Sequence, residues 1–298
     1  MADKPIIDSL LVVDFYKDTM GQMIFHKHPE VPVKFAFRNR HTHIRLADCI
    51  GLGALRENLE HLRSLTFTAH ELNYLAGILQ YHKPMFGPDY IEFLKTFRLP
   101  GFHLDTHDGQ LILEFFGSWP CVSRWETLAM QLVAELFGVA QVFDLSVSNP
   151  RAPFVAGEER LRDKVQFFKD NPRVVFSDFG TRRRFSRAWQ DYVIHMLVEN
   201  FGTHANQFRG TSNTFLAMKY GLTPMGTNAH ELPMVYSAIY RQADEDAHRL
   251  SSQLRVLEDW EQEYGLALSI FLPDTFGSNY FFSEIVPPEM YIRWKGSR

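Results

Sequence analysis

From about residue 172 onward, the sequence alternates short apolar runs with polar, glycine-containing turns and helix-like segments. The apolar runs occupy residues 173–179, 207–213, 223–230, 266–272 and 291–298. Helical periodicity appears in residues 185–200, 214–220 and 232–264. Repeated strand–turn–helix units favour parallel strands with crossover helices, so we predict an α/β architecture for this half of the chain.

The first half mixes helix and strand patterns in no regular order. Alternation over residues 31–38 predicts a half-buried strand, and residues 102–104 and 111–116 around an Asp-Gly pair predict a hairpin. Helices are predicted over residues 10–25, 52–65, 69–80, 90–96 and 126–137, the last ending at Gly138. The Pro, Ala and Gly residues of 149–157 indicate entry into a helix or a second domain. We therefore divide the chain into residues 1–145 and 146–298.

The composition argues against several classes of protein. A chain of 298 residues can bury a large core, and its net charge of −4 offers no global positive field to a nucleic acid. Two distant cysteines, Cys49 and Cys121, indicate a reducing compartment without a disulfide framework. No apolar stretch approaches the roughly 20 residues that span a bilayer. We expect a cytoplasmic protein that binds neither nucleic acid nor membrane.

Polar residues gather at the carboxyl ends of the predicted strands in the second half. They are Asp178, Arg182, Thr211, Ser212, Asn213, Thr227, His230, Glu231, Asp274, Thr275 and Arg298, with Phe179 as a lone aromatic among them. In α/β barrels the active site is built at these strand ends, so we expect the residues to converge on one pocket. Arginine, hydroxyl groups and glycine-exposed backbone amides bind phosphate. The pattern predicts an enzyme acting on a phosphorylated small molecule.

The sequences of these turns are more specific than their positions. Residues 176–183 read FSDFGTRR, residues 210–213 read GTSN, and residues 224–231 read PMGTNAHE. With Asp14-Phe15-Tyr16-Lys17 and Asp274-Thr275, they resemble the signature segments of nicotinate phosphoribosyltransferases in order and spacing. The resemblance runs from about residue 8 to the end of the sequence. It implies an α/β sandwich-like N-terminal domain and an incomplete, open α/β barrel of the type II phosphoribosyltransferases.

The resemblance also implies a reaction. Nicotinate and phosphoribosyl pyrophosphate (PRPP) would give nicotinate mononucleotide and pyrophosphate, with coupled ATP hydrolysis, in NAD salvage. Mg²⁺ would accompany PRPP and its pyrophosphate product. Two identical subunits would form a homodimer with the active site at their interface.

Roles for individual residues follow from the same resemblance. His230 would be phosphorylated by ATP, with Asp274 close to it and Glu231 taking part in catalysis. Phe179 would stack on the pyridine ring, with the partner subunit's Tyr16 on the other face. The remaining substrate-binding residues would be Arg182 at the phosphoribosyl group, Arg298 at the nicotinate carboxylate, and Thr211, Ser212 and Thr227.

Ser212 bears on the choice between nicotinate and nicotinamide. Nicotinamide-using relatives place an aspartate at this position, where it suits an amide donor. A carboxylate substrate would be repelled by an aspartate and tolerated by a neutral hydroxyl, so Ser212 favours nicotinate.

Two alternatives remain open on sequence grounds. Family members continue beyond the position of Arg298 through further strands that carry a phosphate-gripping glycine-rich loop, so we expect the C-terminal strands to be missing here. The chain would then be either an enzyme completed by a separate C-terminal chain or a non-catalytic fragment. A remote alternative is a metal-dependent hydrolase on a barrel, because His26 and His28, and His41 and His43, have the H-x-H spacing of metal ligands.

Overall fold

The computed structural model describes residues 5–80, 82–145, 151–203, 206–241 and 245–297. The helices are α1 (Tyr16–Lys27), α2 (Leu46–Cys49), α3 (Leu52–Ser64), α4 (Ala69–Ala76), α5 (Pro88–Thr96), α6 (Trp119–Val122), α7 (Trp125–Leu145), α8 (Ala152–Asp170), α9 (Arg187–Phe201), α10 (Thr214–Tyr220), α11 (Glu231–Ile239), α12 (Glu245–Tyr264), α13 (Ser278–Tyr280) and α14 (Pro288–Arg293). The strands are β1 (Pro32–Ala36), β2 (Leu79–Gln80), β3 (Lys83–Pro84), β4 (Phe102–His107), β5 (Gln110–Ser118), β6 (Phe176–Asp178), β7 (Phe208–Thr211), β8 (Ile270–Phe271) and β9 (Gly296–Ser297).

The first half contains a three-stranded antiparallel sheet in the order β1-β5-β4. Phe115 of the central strand lies opposite Phe35 on one side and Phe102 on the other. The β4–β5 turn holds Asp108 and Gly109 at φ 48° and 74°, the left-handed conformations that a two-residue hairpin turn requires. The strand predicted over residues 31–38 and the predicted hairpin are confirmed.

Two large apolar cores meet near helix α1. The first joins the segment before α1 to helices α3, α5 and α7, with Leu55, Leu94 and Leu128 fully buried. The second joins α1 to α11, α12 and the last helices, around residues such as Met20 and Trp260. Helix α1 therefore rests on the second core while the residues just before it belong to the first.

The second half contains two separate parallel strand pairs, β6 with β7 and β8 with β9. A single parallel bridge between Thr211 and Pro224 extends the first pair. The described residues therefore form a mixed α/β fold with no closed barrel, as the predicted open architecture requires.

Three of the five predicted strands in this half are shorter than expected or replaced. Residues 223–230 form one bridge only, because Pro224 has no N–H with which to continue a ladder. The 266–272 run narrows to Ile270–Phe271. Most of the 291–298 run was wrongly predicted, because Pro288 begins helix α14 at its first turn and strand β9 covers only Gly296–Ser297.

Several helix boundaries also differ from the prediction. Helix α7 continues through Gly138 to Leu145; a Cβ on Gly138 would lie 3.2 Å from ring carbons of Phe185, so the glycine permits close packing rather than ending the helix. Residues 10–15 are not helical, since they pair with residues 212–215 as described below. The predicted 232–264 helix is two helices, with residues 242–244 outside the described ranges.

The expected helix entry near residue 149 is present, because α8 begins at Ala152 with a proline in its first turn. The predicted division at residue 145 falls beside residues 146–150, which lie outside the described ranges, so it stays a prediction. Within the described ranges, no helix is both long enough and apolar enough to cross a membrane.

Candidate active site

The segment before α1 hydrogen-bonds to the segment after β7, which brings the two halves of the chain together. The backbone N–H of Phe15 donates to the Ser212 carbonyl at 2.6 Å, and the N–H of Thr214 donates to the Val13 carbonyl at 3.0 Å. Asp14 forms an antiparallel bridge with Asn213. Residues nearly 200 positions apart thus share one site.

Each residue of the 210–213 turn has a structural use. Gly210 has φ 134°, and a Cβ there would lie 2.0 Å from the Thr223 carbonyl oxygen, so only glycine permits this close approach. The Asn213 side chain accepts a hydrogen bond from the N–H of Leu216 and caps α10. The turn is therefore built to hold residues 223–227 against β7.

Thr211 and Ser212 are both fully buried and donate their hydroxyl hydrogens to carboxylates. Thr211 Oγ1 donates to Asp178 Oδ2 at 2.7 Å, and Ser212 Oγ donates to Asp14 Oδ1 at 2.6 Å. Direct substrate binding was predicted for both hydroxyls. In this arrangement they instead orient two aspartates, and Ser212 has no exposed surface from which to select a ligand.

A cleft of about 330 Å³ lies beside Phe179. Its walls are Phe15, Met85, Phe179, Thr223, Pro224, Met225, Gly226, Thr227, Leu268 and Ile270. The Phe179 side chain is exposed by 52% and forms a flat wall. Thr227 lines the cleft as predicted, and its carbonyl accepts a hydrogen bond from Thr19 Oγ1 at 2.5 Å, which anchors this wall to α1.

A chain of ion pairs connects Arg182 to helix α1. Arg182 Nη1 lies 2.9 Å from Glu126 Oε1, and Arg182 Nε lies 3.4 Å from Asp14 Oδ2. The other oxygen of Glu126 lies 2.6 Å from Lys17 Nζ, and Lys17 also pairs with Glu231. The Arg182 side chain keeps 39% exposure, so its guanidinium reaches solvent while two carboxylates fix its direction.

These neighbours decide the charge of each buried group. Burial alone would lower the pKa of Lys17, but Glu126 and Glu231 raise it above its usual value. Burial would raise the pKa of Glu126, but Lys17 and Arg182 hold it below its usual value. For Asp14 burial prevails and raises the pKa, in spite of the opposing effects of Ser212 and Arg182. Glu126 and Lys17 therefore stay charged, and the charge of Asp14 is the least stabilised.

His230 and Asp274 meet at the surface, as predicted. His230 Nε2 lies 2.7 Å from Asp274 Oδ1, and the His230 side chain is exposed by 46%. His230 follows the cleft-lining residues 223–227 by three positions and immediately precedes helix α11. The pair therefore lies in the segment that forms one wall of the cleft.

Glu231 and Tyr16 do not occupy the positions that their predicted roles need. The Glu231 side chain is exposed by only 4%, accepts from Trp119 Nε1 at 2.6 Å and pairs with Lys17, so its carboxylate is used inside the protein. Tyr16 is exposed by 1% and lies beneath the Arg182 guanidinium, 5.5 Å from the ring centroid. Neither residue offers a face to a ligand, and the expected stacking by the partner subunit's Tyr16 is a correction that follows from this burial. Arg298 lies outside the described residues.

Sequence reasoning missed the carboxylates and the lysine that organise the site. Asp14 and Lys17 stood in a recognised segment without an assigned role, and Asp178 closed a predicted strand. Glu126 carried a signal that could have been used, since it is a glutamate in the first turn of a strongly apolar helix.

The H-x-H pairs do not form a metal centre. His26 lies between Asp89 and Glu263, with ring nitrogens 3.0 Å and 2.9 Å from their carboxylate oxygens. The His41 and His43 rings meet edge to face at 5.8 Å. Among the residues that the structure describes, no three His, Cys, Asp or Glu side chains are grouped to hold a metal ion, so the metal-dependent hydrolase lacks its ligand set.

Comparison with known proteins agrees with this geometry. The nicotinate phosphoribosyltransferase N-terminal domain model matches residues 11–134, and the nicotinate phosphoribosyltransferase family model matches residues 174–287. A nicotinate phosphoribosyltransferase from Porphyromonas gingivalis matches at 27% identity and a TM-score of 0.80, over 98% of this chain and 70% of that chain. One from Vibrio cholerae matches at 26% identity and a TM-score of 0.78, over 98% of this chain and 66% of that chain. With most of its length matched by these two models, the chain belongs to the nicotinate phosphoribosyltransferase family, whose members are enzymes of NAD salvage.

Proposed function

We propose that this chain joins nicotinate to the phosphoribosyl group of PRPP in the cleft beside Phe179, and that His230 couples the reaction to ATP. The observation that supports both parts is the 223–230 segment, which lines the cleft at one end and carries the His230–Asp274 pair at the other. A substrate in the cleft and a phosphorylated histidine would therefore act on the same short segment of backbone.

The cleft suits a flat aromatic ring. Its volume of about 330 Å³ is at the lower end of ligand pockets, and its walls are mostly apolar. The half-exposed Phe179 ring would stack on the pyridine of nicotinate. Arg182, held from two sides by Glu126 and Asp14, would direct its exposed guanidinium toward a phosphate or carboxylate of the substrates.

The transfer itself needs little proton movement from the protein. The lone pair of the pyridine nitrogen forms a bond to C1 of the ribose while the bond from C1 to the pyrophosphate oxygen breaks, and pyrophosphate leaves with that electron pair. Positive charge develops on the ribose in between. The protein contributes by aligning the two reactants and by placing carboxylates and Arg182 around the changing charge.

Mg²⁺ would arrive with PRPP rather than occupy a site built wholly from protein. The carboxylates of Asp178 and Asp274 are available near the cleft segments, but the described residues contain no cluster of three ligands. Mg²⁺ in proteins is commonly held by one or two carboxylates together with substrate phosphates. Such an ion would offset the charge of the leaving pyrophosphate.

His230 is arranged to accept a phosphoryl group. With Asp274 receiving the hydrogen of Nε2, the lone pair of Nδ1 is the nucleophile that attacks the γ-phosphorus of ATP, and ADP leaves with the electrons of the broken bond. Water later hydrolyses the phosphohistidine to phosphate. Asp274 fixes the tautomer and stabilises the ring while it carries positive charge.

The test is nicotinate mononucleotide and ADP formation by the purified chain, supplied with nicotinate, PRPP, Mg²⁺ and ATP. His230→Ala should abolish ADP formation and the stimulation by ATP. His107→Ala is the matched control, because His107 is also an exposed histidine beside an aspartate, with Nε2 3.3 Å from Asp108 Oδ2. It should behave like the wild type.

Two outcomes would overturn the proposal. ATP-stimulated product formation that survives His230→Ala would remove the histidine from the coupling. A folded wild-type chain that forms no product would favour the second candidate, an enzyme that needs a further chain, which the 70% coverage of the Porphyromonas gingivalis structure keeps in view. The homodimer remains a prediction that sedimentation velocity of the purified protein measures directly.

A further inference from the structure

Lys17 is the one buried cation that touches both parts of the proposed site within the described structure. Its side chain has no exposed surface, and its ammonium lies 2.6 Å from Glu126 Oε2 and against Glu231. Ser123 Oγ accepts a third hydrogen bond at 3.3 Å. Burying an ammonium ion is costly unless it is paired and hydrogen-bonded, and here all three donors are used. No step of the proposed transfer uses this lysine.

One side of Lys17 leads to Arg182. Glu126 shares its two oxygens, with Oε2 toward Lys17 and Oε1 toward Arg182 Nη1 at 2.9 Å. The ammonium thereby fixes the rotation of the Glu126 carboxylate and, through it, the plane of the guanidinium. Without Lys17, Glu126 would be free to turn both oxygens toward Arg182.

The other side of Lys17 leads to His230. Glu231 is the first residue of α11 and immediately follows His230 in the chain. Its carboxylate is held by Lys17 and by Trp119 Nε1 at 2.6 Å, so the start of α11 is pinned to α1 and α6. A movement of the Glu231 side chain would therefore carry the backbone of His230 with it.

We propose that Lys17 is a positioning residue that couples Arg182 to His230, an inference that rests on the proposed function of the site. One ammonium holds two carboxylates that would otherwise repel each other inside the protein. When it is removed, Glu126 and Glu231 move apart, and the substrate-binding arginine and the phosphorylated histidine lose their common reference. PRPP binding and the use of ATP should then become independent of each other.

A merely structural role for Lys17 predicts something different. Loss of a buried ion pair would lower stability and the yield of folded enzyme, but the molecules that remain folded would keep their KM for PRPP and their ratio of ADP to product. The two measurements that separate the hypotheses are therefore KM for PRPP and the number of ADP molecules formed per nicotinate mononucleotide.

Arg124→Met provides the matched control for Lys17→Met. Arg124 is another buried cation, it pairs with Asp18 of the same helix α1, and it touches neither Arg182 nor Glu231 in any described contact. We expect Lys17→Met to raise KM for PRPP by about tenfold and to increase the ADP formed per product severalfold. Arg124→Met should lower stability and leave both quantities at wild-type values. Lys17→Arg, which keeps the charge and several donors, should restore part of the coupling.

A second variant covers the case in which Lys17→Met does not fold. The triple variant Lys17→Met, Glu126→Gln, Glu231→Gln contains no unpaired buried charge, and replacing a whole buried ion cluster by neutral groups is often tolerated. It should show the same rise in KM and the same uncoupling. Wild-type KM and wild-type ADP ratio in either folded lysine variant would overturn the inference, as would equal changes in Arg124→Met.

Calorimetric titration of PRPP into each protein separates this inference from the proposed function. A wild-type chain that binds no PRPP would refute the proposed function and the coupling together. A wild-type chain that binds PRPP, with Lys17→Met binding it equally well, would refute the role of Lys17 alone.

Discussion

Gly210→Ala should be among the most damaging single-methyl additions in the chain, because this glycine lies where two segments of the site come closest. Its φ of 134° is disfavoured for any residue with a side chain, and the added Cβ would lie 2.0 Å from the Thr223 carbonyl oxygen. That contact is far inside van der Waals distance, so residues 223–227 must move away from β7. The movement would break the hydrogen bond from the Met225 N–H to the Thr211 carbonyl, now 2.9 Å.

The expected loss of stability can be estimated from these two effects. Backbone strain at such a φ costs about 1–3 kcal/mol. Loss of the hydrogen bond and of the packing around it adds on the order of 1–2 kcal/mol. We therefore expect Gly210→Ala to lower the free energy of unfolding by roughly 3–5 kcal/mol in urea denaturation. Product formation should fall with it, because the displaced segment carries Thr227 and His230.

Gly221→Ala separates the strain from the collision. Gly221 also has a positive φ, at 63°, but no atom lies within 4 Å of the position that its Cβ would take. Its substitution should cost only about 1–2 kcal/mol and should leave the enzyme active. Equal losses for the two variants would refute the reasoning, since the close approach at Gly210 would then have no energetic consequence.

Three further predictions test other parts of the site. Phe179→Ala should raise KM for nicotinate by about tenfold without lowering the melting temperature, whereas Phe116→Ala, which removes a ring exposed to a similar extent, should change neither quantity; an unchanged KM would exclude stacking on Phe179. Ser212→Ala should lower stability by about 1–3 kcal/mol, because Asp14 loses its donor, and should leave the preference between nicotinate and nicotinamide unchanged; a switched preference would return Ser212 to the substrate pocket. Burial raises the pKa of Glu126, but its cationic neighbours hold it below the usual 4.5, so the stability that its charge contributes is present above that value and is lost as the pH falls through its lower folded pKa. Glu126→Gln should accordingly flatten the acid limb of stability against pH, and an unaltered limb would contradict the assignment.

Local signals predicted the parts of the fold that local chemistry decides. The Asp108-Gly109 pair specified a hairpin because both residues must adopt left-handed backbone angles. Residues 214–220 form a helix within the predicted bounds, because Asn213 caps its start and Gly221 ends it with a positive φ. The position of Phe179 beside Thr227 could also be predicted, since both follow neighbouring strand-like runs.

Long-range pairing decided the parts that the sequence did not reveal. The apolar residues before Tyr16 have helical spacing, yet they bond to residues 212–215, which tertiary contacts alone can select. Lys17 and Glu231 are separated by 214 positions, and neither residue type indicates a buried partner. The predicted ligand contacts of Ser212 failed for the same reason, because its true partner is the distant Asp14.

The pairing of residues 11–15 with residues 212–215 also sets an order of events during synthesis. Asp14 leaves the ribosome long before Ser212, from which it is separated by 198 positions. At ordinary translation rates, roughly 10 to 40 s pass between the two. Throughout that interval the backbone of residues 11–15 can bond only to water or to an unrelated strand edge. A nascent chain interrupted before residue 212 therefore presents an unpaired edge that the completed protein hides, and chaperone protection should matter most in that window.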